Sequence, residues 1–492
     1  MKKTLLLFLL GLITTVGANA QSCVTFSSKN FIDANVGDAP FAMGAGILDG
    51  DIYPDIVVAS YLDGMIKVYL NTTGDLSSIS GVAVTNTLGN DIGGIKLADL
   101  DGQNGLDIIA LAYTNDILAW YPNNGSGGFP TENVISTSVL GASGLTAGDI
   151  DDDGDIDIVV TAYDGDEVIW FSNSGTTTPT FTEATPAIDT SLNAPGSVQL
   201  RDIDGDGDLD AIVSNAQFAG ANDEVKIFRN ELYVGMTGPF LPVTWTAINP
   251  SVATGLNYIF NAAMPDLDGD AFLDVFVSEL NTSPGAGSFH WYEDGNSDPF
   301  DGSAFTPTTF TTTIGNPAAA MAHDLDGDGD KDIILSSGQA LSSTQLVYFE
   351  QLGTPSPNPS GTFGTECIID ATQSQTYVFA VQDFDQDVDA DLDIATIAYN
   401  SDDLTWFEND PPALGVDDFE VDQKGIYPNP AQNELNFRGF NETLDVEVFD
   451  LLGKSVISTR VQPNEGLGVS SLQNGVYILR VNDSTVFKFV KE

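Results

Sequence analysis

The stretch "DLDGDGDKDIIL", residues 324–335, has an aspartate at five of its first nine positions and then becomes apolar. Neighbouring carboxylates repel one another, and Gly and Asp are poor formers of both strands and helices. A segment with this composition therefore needs something that offsets the repulsion.

The same pattern recurs along the chain. The other copies are "DLDGQNGLDIIA" from Asp99, "DIDDDGDIDIVV" from Asp149, "DIDGDGDLDAIV" from Asp202, "DLDGDAFLDVFV" from Asp266, and the looser "ILDGDIYPDIVV" from Ile47 and "DFDQDVDADLDIAT" from Asp383. The seven copies begin 50 to 64 residues apart. Repeats of this length that contain short strands are typical of propellers or repeat arrays.

Each repeat contains four strand-like segments around the acidic loop. An alternating stretch such as "GLTAGD" precedes the loop, and the segments "DIVVTAY", "EVIWFSN" and "TFTEATPAID" follow it. Seven such four-stranded units predict an all-β fold, a seven-bladed β-propeller.

The two ends of the repeat array predict that the ring closes. The last repeat stops after its third strand, "LTWFEND", whereas the segment "CVTFSSKNFI" precedes the first loop. We expect this N-terminal segment to supply the fourth strand of the last blade, because closure would leave no long strand edge unpaired.

An aromatic residue recurs in the third strand of every repeat. A row of this kind can bind sugar rings, but one aromatic per blade is explained more simply by packing between blades. The row consists of Tyr69, Trp120, Trp170, Phe228, Trp291, Tyr348 and Trp406.

The net charge of the 492-residue chain is −55. Nucleic acid and anionic membrane surfaces are therefore poor partners, since both select for Lys and Arg. Most of the acidity lies in the repeats, which points to bound metal ions.

The first twenty residues, "MKKTLLLFLLGLITTVGANA", have two lysines, an apolar run and a small-residue end. This pattern predicts a secretory signal peptide over residues 1–20, and hence an exported protein. No later stretch approaches 18 apolar residues, so we expect no transmembrane span.

The chain has two cysteines, Cys23 and Cys367. An exported protein permits a disulfide between them. Because both lie in outer-strand segments of different repeats, the sequence favours two separate thiols.

The loops share the pattern D-x-D-x-D-G-x-x-D, which we number from the first Asp. Positions 1, 3 and 5 place carboxylates on one side of a turn, position 7 offers a main-chain carbonyl, and position 9 adds a carboxylate from the next strand. Gly at position 6 permits a positive φ. This many hard oxygen ligands suits Ca²⁺, which accepts six to eight of them. Val160 and Val213 stand where an EF-hand would end in Glu.

These loops resemble those of the FG-GAP or VCBS-type repeat family, including the calcium loops of the integrin α-subunit propeller. The resemblance covers residues 22–410 and implies several bound Ca²⁺ ions, up to one for each loop. The ligands that it implies in the third, fourth, fifth and sixth loops are Asp149, Asp151, Asp153, Asp155 and Asp157; Asp202, Asp204, Asp206, Asp208 and Asp210; Asp266, Asp268, Asp270, Asp274 and the Phe272 carbonyl; and Asp324, Asp326, Asp328, Asp330 and Asp332. Position 7 (Asp155, Asp208 or Asp330) would act through its main chain.

Three loops depart from the family pattern. The second has Gln103 at position 5 and the first has Ile47 at position 1, so we expect weak or no binding in the first. The seventh contains two inserted residues. The candidate ligands that remain are Asp99, Asp101 and Asp107; Asp49, Asp51 and Asp55; and Asp383, Asp385, Asp387 and Asp393.

The last part of the chain is less acidic and has short alternating strands, which predict a small Ig-like antiparallel β-sandwich. The segments "YPNP", "DLLGK" and "LQNGVYILRV" and the basic pair Lys488 and Lys491 resemble the type A sorting domain of type IX secretion. This resemblance implies that the type IX secretion machinery is a partner and that the protein is secreted or displayed on the outer cell surface.

The domains expected are the signal peptide at 1–20, the propeller at 21–410, a linker at 411–424 and the sorting domain at 425–492.

The sequence favours a calcium-binding adhesion or binding module with a glycan or protein ligand. The alternatives are a carbohydrate-active hydrolase or lyase, which would use two carboxylates, and a non-catalytic matrix scaffold. The sequence shows no catalytic constellation, and His290 and His323 fit strand or turn roles. Longer turns at 215–223, 279–288 and 337–345 are the segments where we expect a ligand to bind.

Overall fold

The computed structural model of the protein falls into two compact units, Met1–Pro411 and Pro412–Glu492. The signal peptide (1–20) and the linker (411–424) expected from the sequence lie outside the described residues. The residues that the structure describes are 23–217, 223–232, 243–248, 251–267, 273–280, 287–293, 300, 305–310, 312–338, 346–352, 363–372, 375–387, 391–409, 425–438, 440, 443–450, 454–462, 465–482 and 485–491.

The first unit is built from antiparallel sheets. Strand β1 (Asn30–Asp33) precedes them. The first sheet contains β2 (Pro40–Gly46), β3 (Asp55–Ser60), β4 (Ile66–Tyr69) and β5 (Val82–Val84), with a short 3-10 helix at Leu76–Ser78. The second contains β6 (Ile92–Ala98), β7 (Asp107–Ala112), β8 (Ile117–Tyr121) and β9 (Asn133–Ser136). The third contains β10 (Ala142–Gly148), β11 (Asp157–Ala162), β12 (Glu167–Asn173) and β13 (Phe181–Glu183).

Four more sheets follow among the described residues. The fourth contains β14 (Pro195–Arg201), β15 (Asp210–Asn215), β16 (Asp223–Asn230), β17 (Trp245–Ala247) and β18 (Ala253–Leu256). The fifth contains β19 (Ile259–Ala263), β20 (Val275–Glu279), β21 (Ser288–Glu293) and β22 (Thr306–Phe310). The sixth contains β23 (Pro317–His323), β24 (Asp332–Ser337), β25 (Leu346–Phe349) and β26 (Cys367–Asp370). The seventh contains β27 (Phe379–Gln382), β28 (Asp393–Ala398), β29 (Asp403–Phe407) and β1.

The second strand of each sheet is the most deeply buried. In β3, β7, β11, β15, β24 and β28 every residue is buried. Their sequences are continuous runs of β-branched and other apolar residues, as expected for strands that are covered on both faces. Each sheet therefore packs both of its faces against neighbouring sheets.

The sheets form a ring. The first strands of the first six sheets contact one another in order, and β27 returns to contact β2. Ala319 of β23 and Phe379 of β27 belong to one apolar cluster, which joins the sixth sheet to the seventh. The all-β propeller class predicted from the sequence is confirmed, with seven sheets among the described residues.

The N-terminal segment closes the ring as predicted. Strand β1 pairs antiparallel with β29, with Asn30 opposite Trp406, and Phe26 forms an isolated bridge with Asn409. The carboxylate of Asp33 then accepts hydrogen bonds from the Tyr69 hydroxyl (2.7 Å) and from the Lys67 ammonium (3.2 Å) of the first sheet. The segment thus completes the last sheet and ties it to the first.

The preference for two separate thiols was wrong, because Cys23 and Cys367 form a disulfide. The N-terminal segment passes the outer strand of the sixth sheet before it reaches the seventh. In this path the Val24 amide donates a hydrogen bond to the Tyr348 hydroxyl. Ring closure therefore brings together two cysteines that are 344 residues apart.

The recurring aromatic residues pack between sheets, as the sequence predicted. Each has at most 5% of its surface exposed, and they belong to the apolar clusters that join neighbouring sheets. Trp406, for example, lies in one cluster with Ile56 and Tyr69 of the first sheet.

A second repeating contact joins the sheets through side-chain amides. Each amide lies at or just after the end of a third strand and donates to the main-chain carbonyl at position 2 of the preceding sheet's acidic loop. The pairs are Asn71 with Phe384 (2.7 Å), Asn123 with Leu48 (2.7 Å), Asn173 with Leu100 (2.9 Å), Asn230 with Ile150 (2.9 Å), Gln351 with Leu267 (2.8 Å) and Asn409 with Leu325 (2.7 Å).

These pairs form the amide ring of the propeller. Asn71 of the first sheet bonds to Phe384 of the seventh, so the chain of contacts runs across the point of closure. All five asparagines are buried, and a buried carbonyl without a partner is costly. Among the described residues, the amide ring therefore fixes six of the seven acidic loops to the sheet that follows each of them.

The second unit contains two sheets and a separate apolar core. The strands are β30 (Gly425–Tyr427), β31 (Glu434–Arg438), β32 (Leu444–Phe449), β33 (Ser455–Val461), β34 (Leu467–Gly468), β35 (Gly475–Val481) and β36 (Thr485–Lys491). They pair in the orders β30-β31-β34 and β33-β32-β35-β36. Leu435, Val446, Leu479 and Phe489 are buried between the sheets, as expected for a small antiparallel sandwich.

Across the described residues, no helix has the length and apolar character needed to cross a membrane.

Removal of the N-terminal segment tests ring closure. A protein that starts at Ala34 loses β1, the disulfide and the Asp33 contacts, and exposes the edge of β29. We expect its melting temperature to fall further than that of Cys23→Ser, which loses only the disulfide, an effect of about 2–5 kcal/mol. Thermal unfolding and size-exclusion chromatography measure both proteins. Equal melting temperatures for the two would contradict the role of β1.

The amide ring predicts a cost for Asn123→Ala. The substitution removes the side-chain amide that donates to the carbonyls of Leu48 (2.7 Å) and Leu106 (3.0 Å), and it leaves the Leu48 carbonyl with only the Gly127 amide (3.2 Å). We expect this loss to lower the unfolding free energy by about 1–3 kcal/mol. The matched control is Asn90→Ala, an exposed asparagine, for which we expect a change within about 0.5 kcal/mol. Chemical denaturation measures both, and equal effects would show that the amide contact does not stabilise the ring.

Candidate metal centres in the acidic loops

Each acidic loop connects the first strand of a sheet to the second. The position-9 aspartates begin the second strands of six sheets, and Asp274 immediately precedes β20. All seven have at most 2% of their surface exposed, and they are Asp55, Asp107, Asp157, Asp210, Asp274, Asp332 and Asp393. The loops therefore lie together at one face of the ring, each with a buried carboxylate at its base.

The position-9 carboxylate holds the loop to the sheet. In the third sheet, Asp157 Oδ2 accepts the Ile150 amide (3.0 Å) and Asp157 Oδ1 accepts the Asn173 amide (2.8 Å). Oδ2 of every position-9 Asp accepts the position-2 amide of its own loop, at 2.7–3.1 Å. Position 9 thus has a structural role in addition to any role as a ligand.

Hydrogen bonds within the loops turn the remaining carboxylates toward one another. Asp324 accepts the amides of Gly327 (2.8 Å) and Gly329 (3.0 Å), and Asp328 Oδ1 accepts the Asp330 amide (3.0 Å). Turns of this type are common for Asp because its side chain bonds to main-chain groups a few residues ahead.

The glycines at position 6 have the positive φ that the sequence predicted. The values are 93° for Gly154, 101° for Gly207 and 98° for Gly329. Position 4 also has positive φ, at 73° for Gly205 and 55° for Asp152, a second constraint that the sequence analysis missed.

Four loops bring three carboxylates close enough to share one cation. In each group one oxygen per residue lies within 4.8 Å of the others. The groups are Asp99, Asp101 and Asp107; Asp149, Asp151 and Asp157; Asp202, Asp204 and Asp206; and Asp324, Asp326 and Asp328. Positions 1, 3 and 5 or positions 1, 3 and 9 converge, as expected from the pattern.

Buried carboxylate oxygens without partners test whether these loops fit a cation. Among the described residues, Asp151 Oδ1, both oxygens of Asp208 and Asp330 Oδ2 are buried and accept no hydrogen bond. A buried charge needs a counter-charge or hydrogen-bond donors. Acceptor-only oxygens in this number fit Ca²⁺, which is bound by carboxylates and carbonyls.

The sequence analysis predicted a main-chain role for position 7, and the structure adds that the side chain is buried there in two loops. Asp208 and Asp330 have 3% and 7% of their surface exposed. Burial, followed by the charges of Asp206 and Asp152, raises the pKa of Asp208 to about 7. Asp152 belongs to the third loop, so neighbouring loops are electrostatically coupled.

Burial also raises the pKa of the position-9 aspartates. The pKa rises to about 7 for Asp107 and Asp157, and to about 8 for Asp332 and Asp393. Main-chain hydrogen bonds act in the opposite direction, and the carboxylates of the same loop add to the rise. The loops therefore concentrate negative charge where it is poorly solvated.

A basic residue reaches into the fourth loop. The guanidinium of Arg229 on β16 donates to Asp204 Oδ2 and lies over the Phe300 ring, 4.7 Å from its centre. An Arg at this point supplies part of the positive charge that the loop needs. The third loop has no such ion pair among the described residues and is therefore the clearer centre for tests.

The first and seventh loops do not bring three carboxylates together within the part of the chain that the structure describes. Asp49 and Asp51 accept the amides of Asp51 (3.2 Å) and Tyr53 (2.8 Å). Asp383 and Asp385 accept those of Gln386 (2.7 Å) and Asp387 (3.2 Å). In the fifth loop Asp268, Asp270 and Phe272 lie outside the described residues. In the third, fourth and sixth loops the predicted ligands that lie outside the four groups are Asp153, Asp155, Asp208, Asp210, Asp330 and Asp332.

The two histidines lie within strands. His290 of β21 approaches Glu279 Oε2 at 3.4 Å, at the face opposite the acidic loops. His323 ends β23, where burial lowers its pKa. The centres of the longer turns at 215–223, 279–288 and 337–345 lie outside the described residues.

The sequence analysis missed the six side-chain amides of the amide ring, each of which lies at or just after the end of a third strand. Their signal is an Asn placed 16 residues after the position-9 Asp, as in Asn71, Asn123, Asn173 and Asn409. The spacing is 20 for Asn230 and 19 for Gln351, because their second-to-third strand turns are longer.

In the second unit the basic residues of the last strand differ in environment. Lys488 is exposed, whereas Lys491 has 7% of its surface exposed. Arg480 pairs with Glu447, and Arg460 pairs with Asp445 at 2.6 Å. The two lysines of the sequence motif are therefore not equivalent.

The solved structures that resemble this chain do so only at low sequence identity and low TM-score. They include virginiamycin B lyase from Staphylococcus aureus (11% identity, 78% of this chain, 99% of that chain, TM-score 0.48) and the complex of BBS1N with ARL6DN (12%, 80%, 99%, 0.47). The V. cholerae biofilm matrix protein Bap1 is also similar (10%, 77%, 89%, 0.38). These values transfer neither an activity nor a ligand. No curated protein matches the chain.

Two family models match the chain directly. The FG-GAP-like repeat matches residues 99–160, 149–213 and 266–335, which contain the second to sixth acidic loops. The secretion system C-terminal sorting domain matches residues 425–492, which form the second unit. Neither family is defined by a catalytic activity. The chain therefore contains FG-GAP-like repeats and a C-terminal type IX sorting domain, and the sorting domain indicates export to the cell surface or the extracellular space.

Proposed function

We propose that the protein is a calcium-stabilised binding module of the cell surface or the extracellular medium. The observation that carries the proposal is the set of orphaned, buried carboxylate oxygens in loops that already bring three aspartates within 4.8 Å. FG-GAP repeats often bind calcium, which supports the same ion here.

Calcium would be held by the carboxylates at positions 1, 3 and 9 in the second and third loops and at positions 1, 3 and 5 in the fourth and sixth. When bound, the ion supplies positive charge to a ring face that is otherwise acidic. The chain's own residues do the rest. The position-9 Asp fixes the loop to its sheet, and the amide ring fixes it to the next sheet. Loops that are ordered by calcium therefore stiffen the scaffold that presents a ligand surface.

An adhesion or binding role is favoured over catalysis by the placement of the charged groups. The clustered aspartates are used in loop structure, and His290 and His323 lie in strands. A carbohydrate-active enzyme or a passive matrix scaffold remains a competing hypothesis. Measurement of turnover on polysaccharides that the protein binds separates the enzyme from the other two.

Chelation tests the calcium proposal. Ions that bind only the folded protein raise its stability by mass action, so the melting temperature should be higher in millimolar calcium than in excess EGTA. Equal melting temperatures under the two conditions would disprove it.

A pair of substitutions in the third loop makes the test specific. We expect Asp151→Asn to lose one bound calcium ion, because Asp151 belongs to the converging group and has an orphaned oxygen. Asp152→Asn removes the same charge from an exposed neighbouring position outside the group, and we expect its calcium count to be unchanged. Calorimetric titration gives the number of ions. The same count for both proteins would remove the ligand assignment.

Deletion of the second unit tests export. We expect a protein that lacks residues 415–492 to fold its propeller and to accumulate in the periplasm, because the sorting domain directs passage across the outer membrane. Fractionation and immunoblotting of cells with a type IX system measure its location. Surface or medium levels equal to those of the full chain would contradict the sorting role.

A further inference from the structure

The centre of the first unit holds a cavity with a charge opposite to that of the protein. Its volume is about 1010 Å³, and it is enclosed mainly by the first strands of the sheets. The chain has 71 acidic residues and 16 basic ones. Among the described residues that line the cavity there is no Asp or Glu, but there are Lys96 and Arg201.

The two basic side chains have no counter-charge. Lys96 lies on β6 and Arg201 ends β14, both near the acidic-loop end of their strands. In the described part of the chain, neither side chain makes an ion pair or a hydrogen bond. Both side chains are exposed and line the space of the cavity.

The electrostatics around Lys96 favour an anionic ligand. Burial lowers the pKa of the Lys96 ammonium, and the positive charge of Arg201 lowers it further. Two cations that lie near each other favour an anion between them. An Arg guanidinium binds a planar oxyanion through two parallel hydrogen bonds, which a lone Lys cannot do.

The other end of the cavity is lined by aromatic rings. We call Phe41, Tyr61, Phe260, Tyr377 and Tyr399 the aromatic collar. The Phe41 ring lies 5.2 Å from Tyr377, 5.6 Å from Tyr61 and 6.1 Å from Phe260. Each collar residue is only half-buried, unlike the fully buried aromatic row between the sheets. These rings therefore present partly open faces and edges to the cavity.

The positions of Phe41 and Lys96 along their strands give the distance between the aromatic end and the basic end of the cavity. Phe41 precedes its loop by six residues and Lys96 precedes its own by three, so they differ by three positions along equivalent strands. At roughly 3.3 Å per residue, this places them about 10 Å apart along the axis of the ring. A molecule of about two ring lengths spans this distance.

We infer that the cavity binds a ring-bearing organic anion, with its oxyanion between Lys96 and Arg201 and its ring against the aromatic collar. Aromatic side chains pack well against flat, partly apolar rings, and small-molecule sites combine such walls with a few polar anchors. Gln199 and Asn261 also line the cavity and add neutral hydrogen-bonding groups. Two sources supply this chemistry, namely an acidic sugar and an aromatic acid.

The inference deepens the proposed binding role without depending on calcium. Its site lies in the central cavity, whereas the loops lie at one face. The absence of calcium binding would leave the anion site intact, and the absence of anion binding would leave the loops intact. Titrations performed in millimolar calcium therefore test the cavity, and chelation tests the loops.

The test is calorimetric titration of the full secreted protein with four probes. A disaccharide of galacturonic acid is compared with the neutral disaccharide lactose, and 4-hydroxycinnamate is compared with its neutral alcohol. We expect one of the two anions to bind and its neutral partner to bind far more weakly. The anion that binds identifies the source. Binding of neither anion, or equal binding of an anion and its neutral partner, overturns the inference.

Substitutions locate the site. We expect Arg201→Gln and Lys96→Met each to weaken binding roughly tenfold to a hundredfold, as for the loss of a hydrogen bond to a charged group. Phe41→Leu, which preserves most of the volume, should weaken it less. The matched control is Lys226→Met, which removes a lysine paired with Glu224 outside the cavity. Thermal unfolding confirms that each protein is folded. Unchanged affinity in both cavity variants would overturn the assignment.

Discussion

The buried aspartate at the base of each loop is the constraint on which the ring depends. One of its oxygens holds the amide at position 2 of the loop, and in the six sheets where the third-strand end is described the other oxygen holds an amide there. Three strands of a sheet are thereby joined at a single carboxylate that water hardly reaches. Replacing this group would leave two buried amides without acceptors, which is among the more costly changes in a protein core. The rest of the acidic loop is built above it.

The amide ring links neighbouring sheets through hydrogen bonds of the same kind. The main-chain amide of Asn123 donates a hydrogen bond to Asp107 of its own sheet, and its side-chain amide donates one to the Leu48 carbonyl of the preceding sheet. A shift of one loop would therefore strain both its own sheet and the neighbouring one. The metal binding proposed for a loop and the packing between sheets would for this reason be parts of one network. The coupling of Asp208 with Asp152 adds an electrostatic link between adjacent loops.

Much of the architecture was predictable because its signals are local. The spacing of aspartates and the apolar run after each loop indicate strands and turns within about 20 residues, and the orphan segment before the first loop indicated closure. The pairing of Cys23 with Cys367 was not predictable, since it depends on which outer strand the N-terminal segment passes. The burial of the Asp208 side chain and its electrostatic interaction with Asp152 of the third loop were not predictable either, since they depend on how neighbouring loops pack. Lys96 and Arg201 lie 105 positions apart in the sequence and share a cavity only after the ring forms.

Closure by the N-terminal segment has a consequence for the timing of folding. The first strand to leave the ribosome is the last to find its partner, since β29 follows β1 by about 370 residues. Until then, β1 and the edge of the growing sheet array both lack partners, and such edges favour association with other chains. A chain in which β1 is present but β29 has not yet formed is therefore exposed to misassembly. The disulfide can lock the ring only after nearly the whole array has emerged.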